Sequence, residues 1–248
     1  MVDAMTTSDL WDRETAERYE VDSGEMFRPE VLDPAVDFLA GLAGDGPVLE
    51  FAIGTGRVGI PLAARGVAVS GIELSEPMVE QLRRKATEEE IPVVVGDMTT
   101  CTVTGEFSLV YLVWNTIANL RTQDEQVECF RNAARHLAPG GRFVIELGMP
   151  GLRRVPDGQS MAPATITPDH VVLDEFDLVH QQSVSHHYRH DPDGTVRYSM
   201  GRFRYAWPAE LDLMARLADL RLESRYADWS GAPFTSASSG HVSVWVKR

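Results

Sequence analysis

Val48-Leu-Glu-Phe-Ala-Ile-Gly-Thr-Gly-Arg-Val-Gly59 decides the fold. A short apolar run carries an acid, Glu50, crosses a glycine-rich turn and opens into an amphipathic stretch over 58–65. Gly54 and Gly56 let the backbone approach a ligand where a Cβ would obstruct it. A second acid, Glu73, closes the next apolar run, 68–72. It stands about 20 residues beyond the turn, the offset at which a carboxylate grips a ribose in nucleotide-binding βαβ units. The chain therefore reads as a binder of a nucleoside-containing group.

Two ligand classes compete at this point, because Gly54-Thr-Gly-Arg-Val-Gly59 also fits the G-x-G-x-x-G pattern of dinucleotide sites. Four features argue against NAD. Glu50 places a carboxylate where it would repel a pyrophosphate but suit a cation. Asp97 ends a third apolar run, Val93-Val-Val-Gly-Asp-Met98, where an acid accepts from an adenine amino group. The run Leu137-Ala-Pro-Gly-Gly-Arg-Phe-Val-Ile-Glu146 reads as a helix stop, a tight turn and a fifth strand. Finally, the only lysines are Lys85 and Lys247, and neither lies four residues after a tyrosine, so the Tyr-x-x-x-Lys pair of a short-chain dehydrogenase is missing.

Over residues 48–147 the chain resembles the core of the class I S-adenosylmethionine-dependent methyltransferases. The match rests on Glu50-Phe-Ala-Ile-Gly-Thr-Gly56, on Glu73, on Gly96-Asp97-Met98 and on Pro139-Gly-Gly141, in that order. One departure is visible: Ala52 stands where the family's first loop glycine is usual, and the loop is expected to bind with little change. The resemblance implies S-adenosylmethionine as cofactor. It also implies a doubly wound, mostly parallel seven-stranded α/β sheet with helices on both faces and a small antiparallel insertion after the fifth strand. Cofactor contacts are expected from Tyr19, Glu50, Ala52, Gly54, Gly56, Glu73, Leu74, Met78, Asp97, Met98 and Val113. Tyr19, in Ala16-Glu-Arg-Tyr19-Glu20, resembles the N-terminal tyrosine that folds over the methionine part in small-molecule members, or else it fills core.

Composition narrows the partners. Lys+Arg 23 against Asp+Glu 37 gives a net charge of −14, which disfavours nucleic-acid backbones and anionic membranes. Two cysteines, Cys101 and Cys129, make no disulfide framework. Met1–Asp9 is polar and acidic, unlike a signal peptide, and no apolar run approaches the roughly 20 residues of a membrane span, so a cytoplasmic setting is expected. The partner expected is a small-molecule methyl acceptor, with homodimerisation open.

Organisation divides into an N-terminal helical cap (1–45), a core (46–148 and 207–248) and an antiparallel β insertion (149–206), acting as acceptor lid or dimer contact. In the cap, a helix over 9–19 takes Asp9 or Ser8 as its cap, and a second helix starts at Asp33-Pro34. Ser75 caps a helix from Glu76, and Thr122-Gln-Asp-Glu125 is a capping-box pattern. Residues 149–169 read as loop. Alternation then predicts three strands over 171–179, 182–189 and 196–206, with Asp191-Pro-Asp-Gly194 as a turn. A last helix from Pro208 and two strands near 222–229 and 241–246 complete the sheet.

After the fourth strand stands Val113-Trp-Asn-Thr-Ile-Ala-Asn-Leu120. Trp114 and Asn115 are placed to wall the transfer site. Asn115 either orients an acceptor amine or hydroxyl through its amide oxygen or caps the loop. Phe27 and His241 are candidate acceptor contacts. His180, His186, His187 and His190 cluster in sequence, but extended backbone puts His186 and His190 roughly 13 Å apart and turns His187 to the opposite face, which rejects a metal site. His180, His186 and His187 are candidate general bases at the pocket mouth, His187 also an acceptor contact, or else solvated strand positions. Arg189, Arg197, Arg202 and Arg204 read as a solvated strand face or, if they converge, as a site for an acidic acceptor. The reading is methyl transfer to nitrogen or oxygen of a small metabolite or natural product, mainly by proximity and orientation. The alternatives are a non-catalytic binder of S-adenosylmethionine or S-adenosylhomocysteine and, less favoured, an NAD-dependent oxidoreductase.

Overall fold

The computed structural model describes residues 11–248. Helix α1 (Arg13–Asp22) starts at Asp12, whose carboxylate accepts from the Thr15 N–H at 2.8 Å. The expected caps, Asp9 and Ser8, lie outside the described residues. Helix α2 (Pro29–Ala43) begins four residues before the expected Asp33-Pro34 start, because Pro29 occupies the first turn, where no N–H is needed, and Pro34 is carried inside the helix.

The core alternates strand and helix: β1 (Val48–Phe51), α3 (Gly59–Ala64), β2 (Val69–Glu73), α4 (Glu76–Arg83), β3 (Val93–Val95), β4 (Phe107–Leu112), α5 (Gln123–His136) and β5 (Leu137–Gly148). Ser75 caps α4 by accepting from the Met78 N–H, and Thr122 and Glu125 form the reciprocal capping box of α5. After four further strands, the chain returns through α6 (Pro208–Leu217), β10 (Leu220–Tyr226) and β11 (Gly240–Lys247). The strands order as β10-β11-β5-β4-β1-β2-β3. β1, β2, β3, β4 and β5 pair in parallel, and β11 runs antiparallel between β5 and β10. Helices cover both faces. Phe130, Phe143 and Trp245 centre the cluster under α5 and α6, while Leu39, Leu62, Leu82 and Tyr111 fill the one under α2, α3 and α4. A parallel sheet covered on both sides presents its ligand site at the carboxyl ends of the strands.

Between β5 and α6 lies a separate antiparallel sheet of β6 (Met161–Ile166), β7 (His170–Asp177), β8 (Gln182–His190) and β9 (Val196–Arg204), in that order. It has four strands rather than three. The extra one, β6, falls in the stretch read as loop. Pro163 interrupts its pattern, yet an edge strand tolerates a proline, and the β6–β7 register shifts between Pro163 and Thr165. Register places Val172, Phe176, His187 and Phe203 on one face, and Val172 and Phe176 are buried there. His186 and Tyr198 stack on the other.

Arg204 is a correction to the solvated arginine face. It is only 5% exposed and bonds Gln126 at 2.6 Å, Gln181 at 3.2 Å and Glu210 at 2.7 Å. Gln126 in turn donates to the carbonyls of Ile117, Leu120 and Arg204. This buried polar network ties the end of β9 to α5 and α6. Arg197 is neutralised by Asp191.

Candidate active site

A cavity of about 380 Å³ opens at the carboxyl ends of β1, β2 and β4, beneath the second sheet. Glu50, Ala52, Gly54, Glu73, Leu74, Met78, Asp97, Met98 and Val113 all line it, as does Tyr19 from α1. Gly56 does not. Its φ of 82° shapes the turn, and a Cβ there would meet Ile60 Cδ1 at 2.8 Å.

Three acids organise the floor. Glu73 is buried, and its two oxygens accept from the backbone N–H groups of Gly54 and Ser75, each at 2.8 Å. It thereby fixes the glycine turn and the start of α4. Burial raises its pKa, against these bonds. Asp97 Oδ1 accepts from the Thr99 N–H at 2.7 Å and from the Thr99 hydroxyl at 2.8 Å. Glu50 is 2% exposed and accepts from the Tyr111 hydroxyl at 2.8 Å. Burial pushes its pKa up to about 8, against the Tyr111 bond, Arg57 and the Gly59 N–H. A Cβ at Gly59 would lie 2.8 Å from Glu50 Oε2, so the third glycine leaves room for this acid.

The walls carry backbone strain. Ala52, Trp114 and Asn115 have φ of 53°, 56° and 59°, a region non-glycine residues rarely adopt. Trp114 and Asn115 are held by β5. Glu146 accepts from the Trp114 N–H at 2.9 Å and from the Trp229 indole at 2.7 Å. The Asn115 amide oxygen accepts from the Gly148 N–H at 2.5 Å. That oxygen therefore clamps the loop to β5, and the residue also lines the cavity.

The remaining expected residues separate by position. His187 lines the cavity, as does Phe203, whereas His180 and His186 do not. His180 sits at the β7–β8 turn against Asp177, its side chain 70% exposed. His186 faces the other side of the sheet, its Nδ1 2.8 Å from the Tyr198 hydroxyl. Neither reaches a ligand in this cavity, so the base role expected of them is withdrawn. Phe27 packs edge-on against Tyr19 at 6.3 Å rather than lining the space. His241 lines a neighbouring cavity of about 210 Å³, which shares Trp114 and Asn115 with the first. It is buried, and burial drives its pKa down to about 4.

Several lining residues escaped the sequence reading. Trp11 packs edge-on to Tyr19 at 5.6 Å, and its carbonyl accepts from the Ser75 hydroxyl at 2.6 Å, pinning the N-terminal segment over the cavity. Arg57 sets its guanidinium carbon 5.4 Å from the Trp114 ring centroid. A basic residue in the glycine turn, seven places after a strand-end acid, was the available signal. Thr55 Oγ1 and Asn119 Oδ1 are buried without protein partners, and both residues line the cavity. Unpaired buried polar atoms, together with three acids around a glycine turn, fit a polyfunctional nucleoside.

The strand order, the strand-end acids and the glycine turn define a Rossmann-like nucleoside-cofactor site. A family model described as a methyltransferase domain matches residues 48–141. The solved CcbJ methyltransferase of Streptomyces caelestis is 38% identical with a TM-score of 0.78, covering 87% of this chain and 89% of that one. A cypemycin N-terminal methyltransferase from Streptomyces sp. is 26% identical over 244 residues, 94% of this chain and 96% of its own length. A dTDP-4-amino-2,3,4,6-tetradeoxy-D-glucose N,N-dimethyltransferase of Saccharopolyspora spinosa is 37% identical over 99 residues, 40% of this chain and 39% of that protein. The chain belongs to the S-adenosylmethionine-dependent methyltransferases, and its cofactor is S-adenosylmethionine.

Proposed function

We propose that this enzyme methylates an amine nitrogen of a small natural-product acceptor. The observation that carries the reading is one continuous cavity with two kinds of wall. Glu50, Glu73 and Asp97 supply the cofactor side, and Trp114, His187 and Phe203 bound the space beyond it. S-adenosylmethionine, when bound, supplies an activated methyl on a sulfonium. Glu73 would hold the ribose hydroxyls, Asp97 the adenine amino group between Leu74 and Met98, and Glu50 with Tyr19 the cationic methionine end. The protein's main contribution is then orientation and exclusion of water.

A non-catalytic binder would seal the space near Trp114. Instead Trp114 is 45% exposed at the cavity edge. Nitrogen is favoured over oxygen because the cypemycin and amino-sugar relatives are both named as methylating nitrogen.

The test combines calorimetric titration of S-adenosylmethionine and S-adenosylhomocysteine with a turnover screen. Acceptors are supplied as matched amine and hydroxyl pairs: amino-sugar nucleotides against their hydroxyl congeners, and peptides with free against blocked N-termini. Turnover of amines alone is expected. Turnover confined to hydroxyl members would overturn the nitrogen assignment.

A further inference from the structure

Resting on the nitrogen reading, we propose that His187 and His170 form a two-histidine relay that carries the acceptor's proton from the cavity to solvent. Among the described residues, His187 is the one histidine lining the main cavity. Its Nδ1 lies 3.1 Å from His170 Nε2, and the two rings stack with centroids 5.3 Å apart. With Nδ1 engaged, Nε2 is the nitrogen left for an acceptor in the cavity. His170, at the start of β7, is only partly buried. The pair thus spans from the enclosed space to the protein's outside.

An aliphatic amine is mostly ammonium near neutral pH and has no lone pair to give until a proton leaves. In the relay, R–NH₃⁺ passes a proton to His187 Nε2 while the His187 Nδ1 proton moves to His170 Nε2. His170 then releases its Nδ1 proton to water. The step turns R–NH₃⁺ into R–NH₂ and a solvated proton and leaves both rings as Nε2–H tautomers, which proton exchange with water returns to the Nδ1–H form before the next turnover.

The surroundings keep the relay neutral, with its lone pairs free between turnovers, and a proton taken up is not retained. Burial, then His170 and Arg189, lower the pKa of His187, with His186 acting the same way and Asp174 against them. Asp174 is itself occupied by Arg154 and by the Ser185 hydroxyl. Burial and Arg189 likewise lower His170, opposed by Asp169 and by Asp22 of α1. A carboxylate clamped on either ring would hold the proton instead of passing it on.

The test uses the amine of the screen with the fastest turnover, together with H187Q, H187A and H170N. H187Q is expected to cut kcat by about 10²- to 10⁴-fold, the usual range for a lost proton acceptor, while calorimetry gives an unchanged Kd for S-adenosylmethionine. Free imidazole should restore turnover to H187A, and H170N should move the acidic limb of the wild-type pH profile. Nitrogen-15 NMR of the histidine rings should show His187 and His170 titrating together in the wild type and His187 alone in H170N. Wild-type turnover of the amine with H187Q within threefold of it overturns the relay and leaves the nitrogen reading standing. A wild-type enzyme that methylates no amine overturns both.

Discussion

Glu50 destabilises the ligand-free protein for the sake of its binding site, and Glu50→Gln exposes the cost. Burial beside Tyr111 moves the carboxyl midpoint from 4.5 to about 8. Below pH 4.5 both folded and unfolded chains hold the proton, so the group is neutral to stability. Between 4.5 and 8 the unfolded chain releases it while the folded chain retains it, and stability falls as pH rises. At about 1.4 kcal/mol per pH unit, the difference accumulated from pH 5 to pH 8 is roughly 3–4 kcal/mol. A glutamine side chain in its place does not titrate and keeps an oxygen for the Tyr111 hydroxyl. Urea unfolding of E50Q should therefore lack this slope, and its stability relative to wild type should grow by about that amount across the window. Binding reports the same proton. With a midpoint near 8, about 0.9 of the carboxyls are protonated at pH 7, and a sulfonium or ammonium seated beside Glu50 would expel that proton. Calorimetry of S-adenosylmethionine in Tris and in phosphate should then differ by nearly one proton's ionisation heat, and the difference should vanish in E50Q. Equal heats in both buffers for the wild type would sink this account, because Glu50 would then be ionised already or out of the cation's reach.

Three further outcomes follow from the site. Glu73→Ala removes the expected ribose acceptor and orphans the N–H groups of Gly54 and Ser75; calorimetry should show cofactor affinity falling about ten- to a hundredfold, roughly 1.5–3 kcal/mol. Ala52→Gly relieves a left-handed residue worth about 1–2 kcal/mol against a glycine entropy cost of about 0.5–1 kcal/mol, so urea unfolding should show no loss and up to about 1.5 kcal/mol of gain. Glu146→Ala frees the strained Trp114–Asn115 loop; turnover should fall tenfold or more while the Kd for S-adenosylmethionine stays within about threefold, and equal losses in both would assign Glu146 to the cofactor instead.

The cofactor half of the site was legible because its chemistry is local. A strand-end acid, a glycine turn and a second acid at a fixed offset are contiguous constraints, and Glu50, Gly54, Glu73 and Asp97 all line the cavity. The acceptor half rests on tertiary docking, which a linear pattern does not carry. Alternation set His186 and His187 on opposite faces of β8, yet only tertiary packing, with β9 against the 116–119 turn that follows β4, puts the His187 face toward the cavity. Strand β6 was hidden by Pro163, which a pattern search penalises and an edge position accepts. Arg204 read as solvated because its partners, Gln126, Gln181 and Glu210, lie far from one another along the chain.

That division has a functional consequence. The acids that line the proposed cofactor side of the cavity hang from the parallel sheet, whose register is fixed by burial on both faces. His187 and Phe203 hang from an antiparallel sheet joined to the core through the buried Arg204 network and α6. Substitutions on β8 and β9 can therefore change which acceptor fits without moving Glu73 or Asp97, so donor affinity and acceptor choice are separable. Exchanging Phe203 for a smaller apolar residue such as leucine should shift relative kcat/KM across the amine panel while leaving the Kd for S-adenosylmethionine within about twofold. If that exchange instead weakened the cofactor in step with every acceptor, the second sheet would be a wall of the donor site, and acceptor choice would have to be sought at the smaller cavity around Trp229 and His241.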